Sequence, residues 1–335
     1  MRLSSSHDPV PGTVRPPSGT ASVGPGPNTA AAWPLNKGLP SGTLYVLAGN
    51  DVYSIDVATG FVVPLGVGPV NPVKTVLTAF STGVLVWSTQ GQPERRLWYV
   101  AGPIEQPVGP LMTAASILPA SGGTAWITSQ QQRDPSKDAG AIWALANDRG
   151  VTGRRVRIRG FAVPDGAGGL LDVERTGVRV AGSGNGGKVV GSYLLGSGPD
   201  GLVVDSCTDN SCTRELRDRV SGKVLTLGPD EPPTADSGSA VVAAGALSPG
   251  NHFFAEAGSD RDGGFDLRVT PTTAPISAQT IHLGSRSTSL AWLSERWLAA
   301  TTDDGLFLYD ANADVTVATS LPLQDPTQLL LLPAA

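Results

Sequence analysis

From residue 42 onward the chain alternates between apolar runs of four to eight residues and short polar stops built from Gly, Pro, Asp or Asn. Leu44, Tyr45, Val46 and Leu47 open the first run, and blocks of the same kind follow to the end. No window shows a convincing amphipathic-helix stripe at i, i+3, i+4 and i+7, because most apolar runs stop after four to eight residues. The pattern therefore predicts strands joined by tight turns.

Two stretches repeat themselves. Asp56-Val-Ala-Thr-Gly-Phe-Val-Val-Pro-Leu-Gly66 returns as Asp218-Arg-Val-Ser-Gly-Lys-Val-Leu-Thr-Leu-Gly228, keeping the Asp, the hydroxyl residue, both glycines and the Val and Leu positions. Each copy reads as a strand ending in Asp, a turn closed by a Gly that tolerates positive φ, and another strand. Residues 44–56 also align without gaps on 298–310, pairing the Asn50-Asp51 turn with Asp304-Gly305 and Asp56 with Asp310. Carried along the chain, this template places blade cores at 43–66, 83–110, 123–159, 169–191, 201–228, 250–284 and 296–321. Periods of about 40 to 45 residues belong to four-stranded blades. The expected fold is thus all-β, a seven-bladed β-propeller, with six blades as the alternative count because the 169–191 core is short and Gly-rich. Further apolar runs, as at 73–79, 115–118, 241–246 and 290–293, precede the cores and supply the innermost strands. The last run, 329–332, has no hairpin of its own. It is expected to become the inner strand of the first blade, so that the C-terminal strand closes the ring and removes an open sheet edge.

Composition agrees with many strands and turns: 42 Gly and 28 Pro accompany only 16% charged residues. Residues 1–40 gather Pro9, Pro11, Pro16, Pro17, Pro25 and Pro27 among Ser, Thr, Gly and Ala, a mixture with too little apolar surface to offset the entropy of ordering. They are expected to form a disordered tail or linker ahead of a propeller at 41–335. The net charge of −5 excludes a general nucleic-acid binder, which needs a positive surface to displace counterions from phosphate. No run reaches the roughly 18 to 20 apolar residues that span a bilayer, and residues 1–10 lack the basic start and apolar core of a secretory signal.

Ala246-Leu-Ser-Pro-Gly-Asn-His-Phe-Phe-Ala255 and Leu290-Ala-Trp-Leu-Ser-Glu-Arg-Trp-Leu-Ala-Ala300 resemble the Ser-Pro-Asp-Gly-x-x-apolar-Ala signature of TolB-like and WD40-like propellers. Gly250-Asn251 stands where that signature has Asp-Gly, and Ser294-Glu295 replaces Ser-Pro-Asp. The resemblance spans residues 42–333 and bears on architecture. It implies binding of proteins, peptides, glycans or metabolites without choosing among them. Cys207 and Cys212, the only cysteines, flank a four-residue turn that sets them opposite each other on paired strands, where a disulfide fits. The chain also resembles propellers of actinobacterial cell envelopes, which carry such a Cys-turn-Cys hairpin, and that resemblance implies an oxidised pair. The alternative is two ordinary thiols in a reducing cytoplasm. Two Cys without a nearby His do not complete a zinc set. Together with the Pro-rich tail, the pair implies an extracytoplasmic domain, in the cell envelope or secreted, whose membrane anchor is missing upstream.

Candidate chemistry is sparse. Of three histidines, His7 lies in the tail, while His252 and His282 sit in strand-like segments and read as structural. Thr301-Thr-Asp-Asp-Gly-Leu-Phe-Leu308 only partly matches a sialidase-type Asp-box, lacks its Trp, and reads as a hairpin turn. Asp260-Arg-Asp-Gly-Gly264 lacks the downstream Glu of a calcium loop, and Gly182-Ser-Gly-Asn-Gly-Gly187 matches no phosphate loop. No catalytic residue, cofactor or metal is expected. Arg154, Arg155, Arg157 and Arg159 form the one dense basic cluster. In a strand, Arg155, Arg157 and Arg159 share a face while Val156 and Ile158 point inward. The stripe either protects an edge from aggregation or binds an acidic partner. Trp87, Trp98, Trp126, Trp143, Trp292 and Trp297 occupy strand positions that pack between blades. The expected function is a non-enzymatic, monomeric scaffold or ligand sensor of the cell envelope that binds another protein or envelope component. The alternative is a glycan-binding or glycoside-hydrolysing propeller.

Overall fold

The computed structural model describes residues 33–34, 37–67, 71, 75–81, 83–88, 96–101, 104–105, 111, 114–129, 140–182, 188–208, 211–230, 245–259, 265–283, 287–319, 321 and 323–333. The described residues are all-β apart from single helical turns. Strands β1 (Gly42–Ala48), β2 (Asp51–Asp56) and β3 (Val62–Pro64) make an antiparallel meander. The same holds for β4 (Thr75–Phe80), β5 (Gly83–Ser88), β6 (Arg96–Ala101) and β7 (Ile104–Glu105). Next come β8 (Ser116–Pro119), β9 (Ala125–Thr128), β10 (Ala141–Asn147) and β11 (Gly150–Ile158), then β12 (Phe161–Pro164), β13 (Leu170–Glu174), β14 (Gly177–Val180) and β15 (Val189–Gly191).

An eight-stranded sheet follows. One half is β16 (Tyr193–Ser197), β17 (Gly201–Thr208), β18 (Ser211–Asp218) and β19 (Val224–Asp230); the other is β20 (Gly245–Leu247), β21 (Phe253–Ser259), β22 (Phe265–Pro271) and β23 (Gln279–His282). The halves join through a parallel pairing of β16 with β20, Gly196 opposite Gly245. A Cβ on Gly196 would stand 2.6 Å from the Gly245 oxygen, so the missing side chain is what lets these two strands approach. The last sheet is β24 (Ser287–Trp292), β25 (Trp297–Thr302), β26 (Gly305–Asp310) and β27 (Val315–Ala318). The final strand, β28 (Pro326–Pro333), pairs along all of β1, from Gly42 opposite Pro333 to Ala48 opposite Pro326. The 329–332 run thus takes the place expected for it.

The core lies between sheets, which is the propeller-like feature of the arrangement. Leu47 and Val52 pack with Leu77 and Val84 of the next sheet, and Phe80 and Leu85 with Ile117 and Ile127. Trp126 and Trp143 meet Leu170, Leu171 meets Leu194, Val203 meets Phe254, and Leu267 meets Trp292. Leu44, Val46 and Ile55 of the first sheet then pack with Trp297, Ala299 and Leu306 of the last. All the strand-borne Trp side chains that are described, Trp87, Trp126, Trp143, Trp292 and Trp297, are buried as expected; that of Trp98 lies outside the described residues.

The sequence repeats correspond to one turn used twice. Asp56 Oδ1 accepts the backbone N–H and the hydroxyl of Thr59, each at 2.8 Å, before Gly60 at φ 71°. Asp218 Oδ1 accepts the same two donors from Ser221, at 2.6 and 2.9 Å, before Gly222 at φ 68°. These bonds hold both carboxyls below the ordinary aspartate range, chiefly through the Thr59 hydroxyl for Asp56 and the Ser221 amide for Asp218.

The N-terminal boundary differs from the expectation. Residues 1–32 lie outside the described residues, but Trp33, placed in the tail by its neighbours, is only 7% exposed and joins the core between the first and last sheets. Its indole N–H donates to the Val57 oxygen at 2.8 Å. Proline-rich surroundings hide such an anchor because a single aromatic leaves no periodicity to read.

Candidate functional site

β11 is the outermost strand of its sheet. Val156 and Ile158 point into the cluster with Trp126, Trp143 and Leu170, whereas Arg155, Arg157 and Arg159 are exposed. The alternation read from the sequence is therefore the one the strand adopts. Two devices fix the stripe. The Arg154 guanidinium lies over the Trp126 ring, 5.3 Å from its centroid, a cation–π contact. At the strand's end the buried Asp172 carboxylate accepts the backbone N–H groups of Arg159 at 2.9 Å and Gly160 at 2.7 Å. That carboxylate is a positioning element the sequence did not signal, because its donors are backbone groups.

On β10, Ile142 stands opposite Arg157 and Ala144 opposite Arg155, and Ile142 is 44% exposed. The surface is thus a row of guanidiniums with an apolar flank. Residues 149–191 contain eight basic and three acidic side chains, although the whole chain has 24 basic and 29 acidic. Positive charge is concentrated on one sector of an acidic molecule, an arrangement suited to orienting an anionic partner.

Cys207 and Cys212 face each other in the β17–β18 ladder and are disulfide-bonded, with Cα atoms 4.0 Å apart. The Cys207 amide donates to the Ser192 hydroxyl at 3.0 Å. The loop closed is short, so the bond pins a hairpin rather than the domain.

The segments carrying the signature resemblance do structural work. Ser248 is fully buried; its hydroxyl donates to Glu295 Oε2 at 2.8 Å and accepts the Phe253 amide at 3.0 Å. His252 Nδ1 lies 3.0 Å from the same Glu295 oxygen, and the Gly250 amide also donates to Glu295. Ser248 thus faces the carboxylate and not the imidazole, which is no nucleophile–base pair. The turn before β21 is instead fastened to the turn before β25, and Glu295, the residue that departs from the signature, is the fastener. His282 is exposed and pairs with Asp266 across β22 and β23 at 2.6 Å. Residues 301–308 form the tight β25–β26 hairpin, with Thr302 opposite Gly305. Arg296 binds the Asp310 carboxylate through two nitrogens and holds it below the ordinary aspartate range. Among the described residues no group of three or more His, Cys, Asp or Glu side chains is placed to hold a metal. Residues 183–187 and 260–264 lie outside the described residues. No helix among the described residues is long and apolar enough to cross a membrane.

Among solved structures the chain is similar to TolB from Acinetobacter baumannii, with a TM-score of 0.47 and 10% identity over 89% of this chain and 69% of that one. It is similar to the WD40 β-propeller domain of Doa1, with a TM-score of 0.42 and 14% identity over 80% and 88%. It is also similar to a chain of a nidogen/laminin complex, with a TM-score of 0.45 and 11% identity over 86% and 97%. Structures of both kinds named by the sequence resemblance, a TolB and a WD40 β-propeller, are thus among those the chain is similar to. No family model matches the chain, and no curated protein matches its sequence.

Proposed function

We propose that this chain is a seven-bladed propeller, closed by β28, that acts outside the cytoplasm as a monomeric, non-enzymatic protein-binding scaffold or ligand sensor of the cell envelope. In this reading the eight-stranded sheet is two blades whose inner strands, β16 and β20, lie close enough to pair through Gly196 and Gly245. The apolar clusters between successive sheets, ending with the one between the last sheet and the first, support a closed ring. The disulfide supports an oxidising compartment. The observation that carries the binding function is the exposed stripe of Arg155 and Arg157 on an outermost strand with Arg159 just past its end. Exposed guanidiniums cost side-chain entropy to order only when a partner engages them, and their planar forks suit carboxylates.

The test is crosslinking capture of the tagged protein in its native host, with the wild type beside the variant R155S/R157S/R159S. We expect a protein partner retained in near-equal amount by the wild type and lost from the variant, with an unchanged melting temperature because all three side chains are solvent-exposed. Retention of the same partner by the variant contradicts the reading, as does recovery of envelope glycan alone.

A further inference from the structure

The basic edge specifies more than attraction to negative charge, an inference that rests on partner binding at the arginine stripe. β11 is last in its sheet and runs in regular register with β10 over residues 155–158, and among the described residues no strand lies along the outer row of backbone N–H and C=O groups there. Such a row is a template for an additional strand. Thr152, Gly153 and Arg154 lie in the register shift between β11 and β10, so the regular part of the edge is residues 155–158.

The charges have the period of a strand. Arg155 and Arg157 on β11, and Arg159 just past its end, occupy every second position, so their backbone positions repeat at about 6.6 Å along the edge. An extended peptide with acidic residues at every second position has the same repeat and sets a carboxylate opposite each arginine, the cross-strand pairing of opposite charges that stabilises a ladder. Its intervening side chains fall on the other face, beside the Val156 and Ile158 cluster, where apolar groups fit. The two roles of the stripe then become one. An apolar or basic strand would leave the arginines unmatched or repelled, so the edge refuses general aggregation while admitting an acidic strand.

We propose that β11 takes up an extended segment of a partner protein as an added strand, and that this segment alternates acidic with apolar residues. The test measures binding of a labelled ten-residue peptide of alternating Glu and Val to the full chain. It is compared with a shuffled peptide of the same composition in which the Glu residues are contiguous, and with an alternating peptide N-methylated at every second amide on its pairing edge. We expect the alternating peptide to bind about tenfold or more tightly than either, from the sum of three cross-strand pairs and the backbone ladder. R155S/R157S/R159S should lose about the same factor. If that variant lowers the melting temperature, R157S alone carries the comparison. Equal binding of alternating and shuffled peptides overturns the proposal, as does indifference to N-methylation. Should the peptides fail while the native partner is still lost from the triple variant, strand addition is overturned and partner binding at the stripe stands. Should the triple variant keep its native partner, both fall.

Discussion

Trp33 is the residue whose environment says most about where the folded unit starts. Its indole fills the space over Gly60, where a Cβ would come within 2.3 Å of the ring, and it donates to Val57. Gly60 is doubly required, since it also holds φ 71°. Trp33→Ala should cost about 3 to 5 kcal/mol, the range for emptying a buried aromatic site, while Trp33→Phe should lose mainly the hydrogen bond, about 1 kcal/mol. Denaturant unfolding of the two variants against the wild type checks this, and a Trp33→Ala protein as stable as its parent would return residue 33 to the tail. Legibility at this scale followed repetition. Asp56 with Thr59 and Asp218 with Ser221 were readable because the same turn occurs twice. Glu295 and Asp172 were not, since each bonds partners distant in sequence or backbone groups that carry no residue signal.

At the scale of elements, β28 and β11 stand for the two fates of a sheet edge. β28 is covered: it pairs with β1, the Gln328 side chain accepts the Leu77 amide at 3.2 Å and donates to the Thr75 oxygen on β4, and the Leu329 amide donates to the Ser289 hydroxyl on β24. The C-terminal strand is thereby tied to β1, β4 and β24, two of them at the opposite end of the chain. Removing residues 325–335 would expose β1 and sever both lateral ties, so the truncated chain should lose cooperative unfolding by heat; a truncated chain that melts like the parent would contradict closure. The position of β28 was legible because four leucines with no hairpin of their own need a neighbour. The pairing of β16 with β20 was not, since its determinant is the spatial meeting of Gly196 and Gly245, two glycines among 42. The 155–158 part of β11 was legible down to which side chains face outward, because alternation of Arg with Val and Ile has only one arrangement that buries the apolar set, whereas the register shift before it left no signal.

At the scale of the molecule, a chain with an acidic surplus concentrates its basic residues on β11 and the strands after it. The apolar faces pack between sheets, which leaves the outermost strand β11 with an uncovered edge among the described residues. The all-β, propeller-like arrangement was readable from turn chemistry and period, and the basic stripe was readable as a charge pattern, whereas no residue pattern in the chain specifies what would meet it. Binding along β11 is tested most directly by hydrogen–deuterium exchange of the full chain with and without its captured partner. Exchange of the amides of residues 150–158 should slow in the complex, since a partner strand would occupy the open backbone edge. Unchanged exchange there, with protection appearing on another sheet, would contradict binding along this strand.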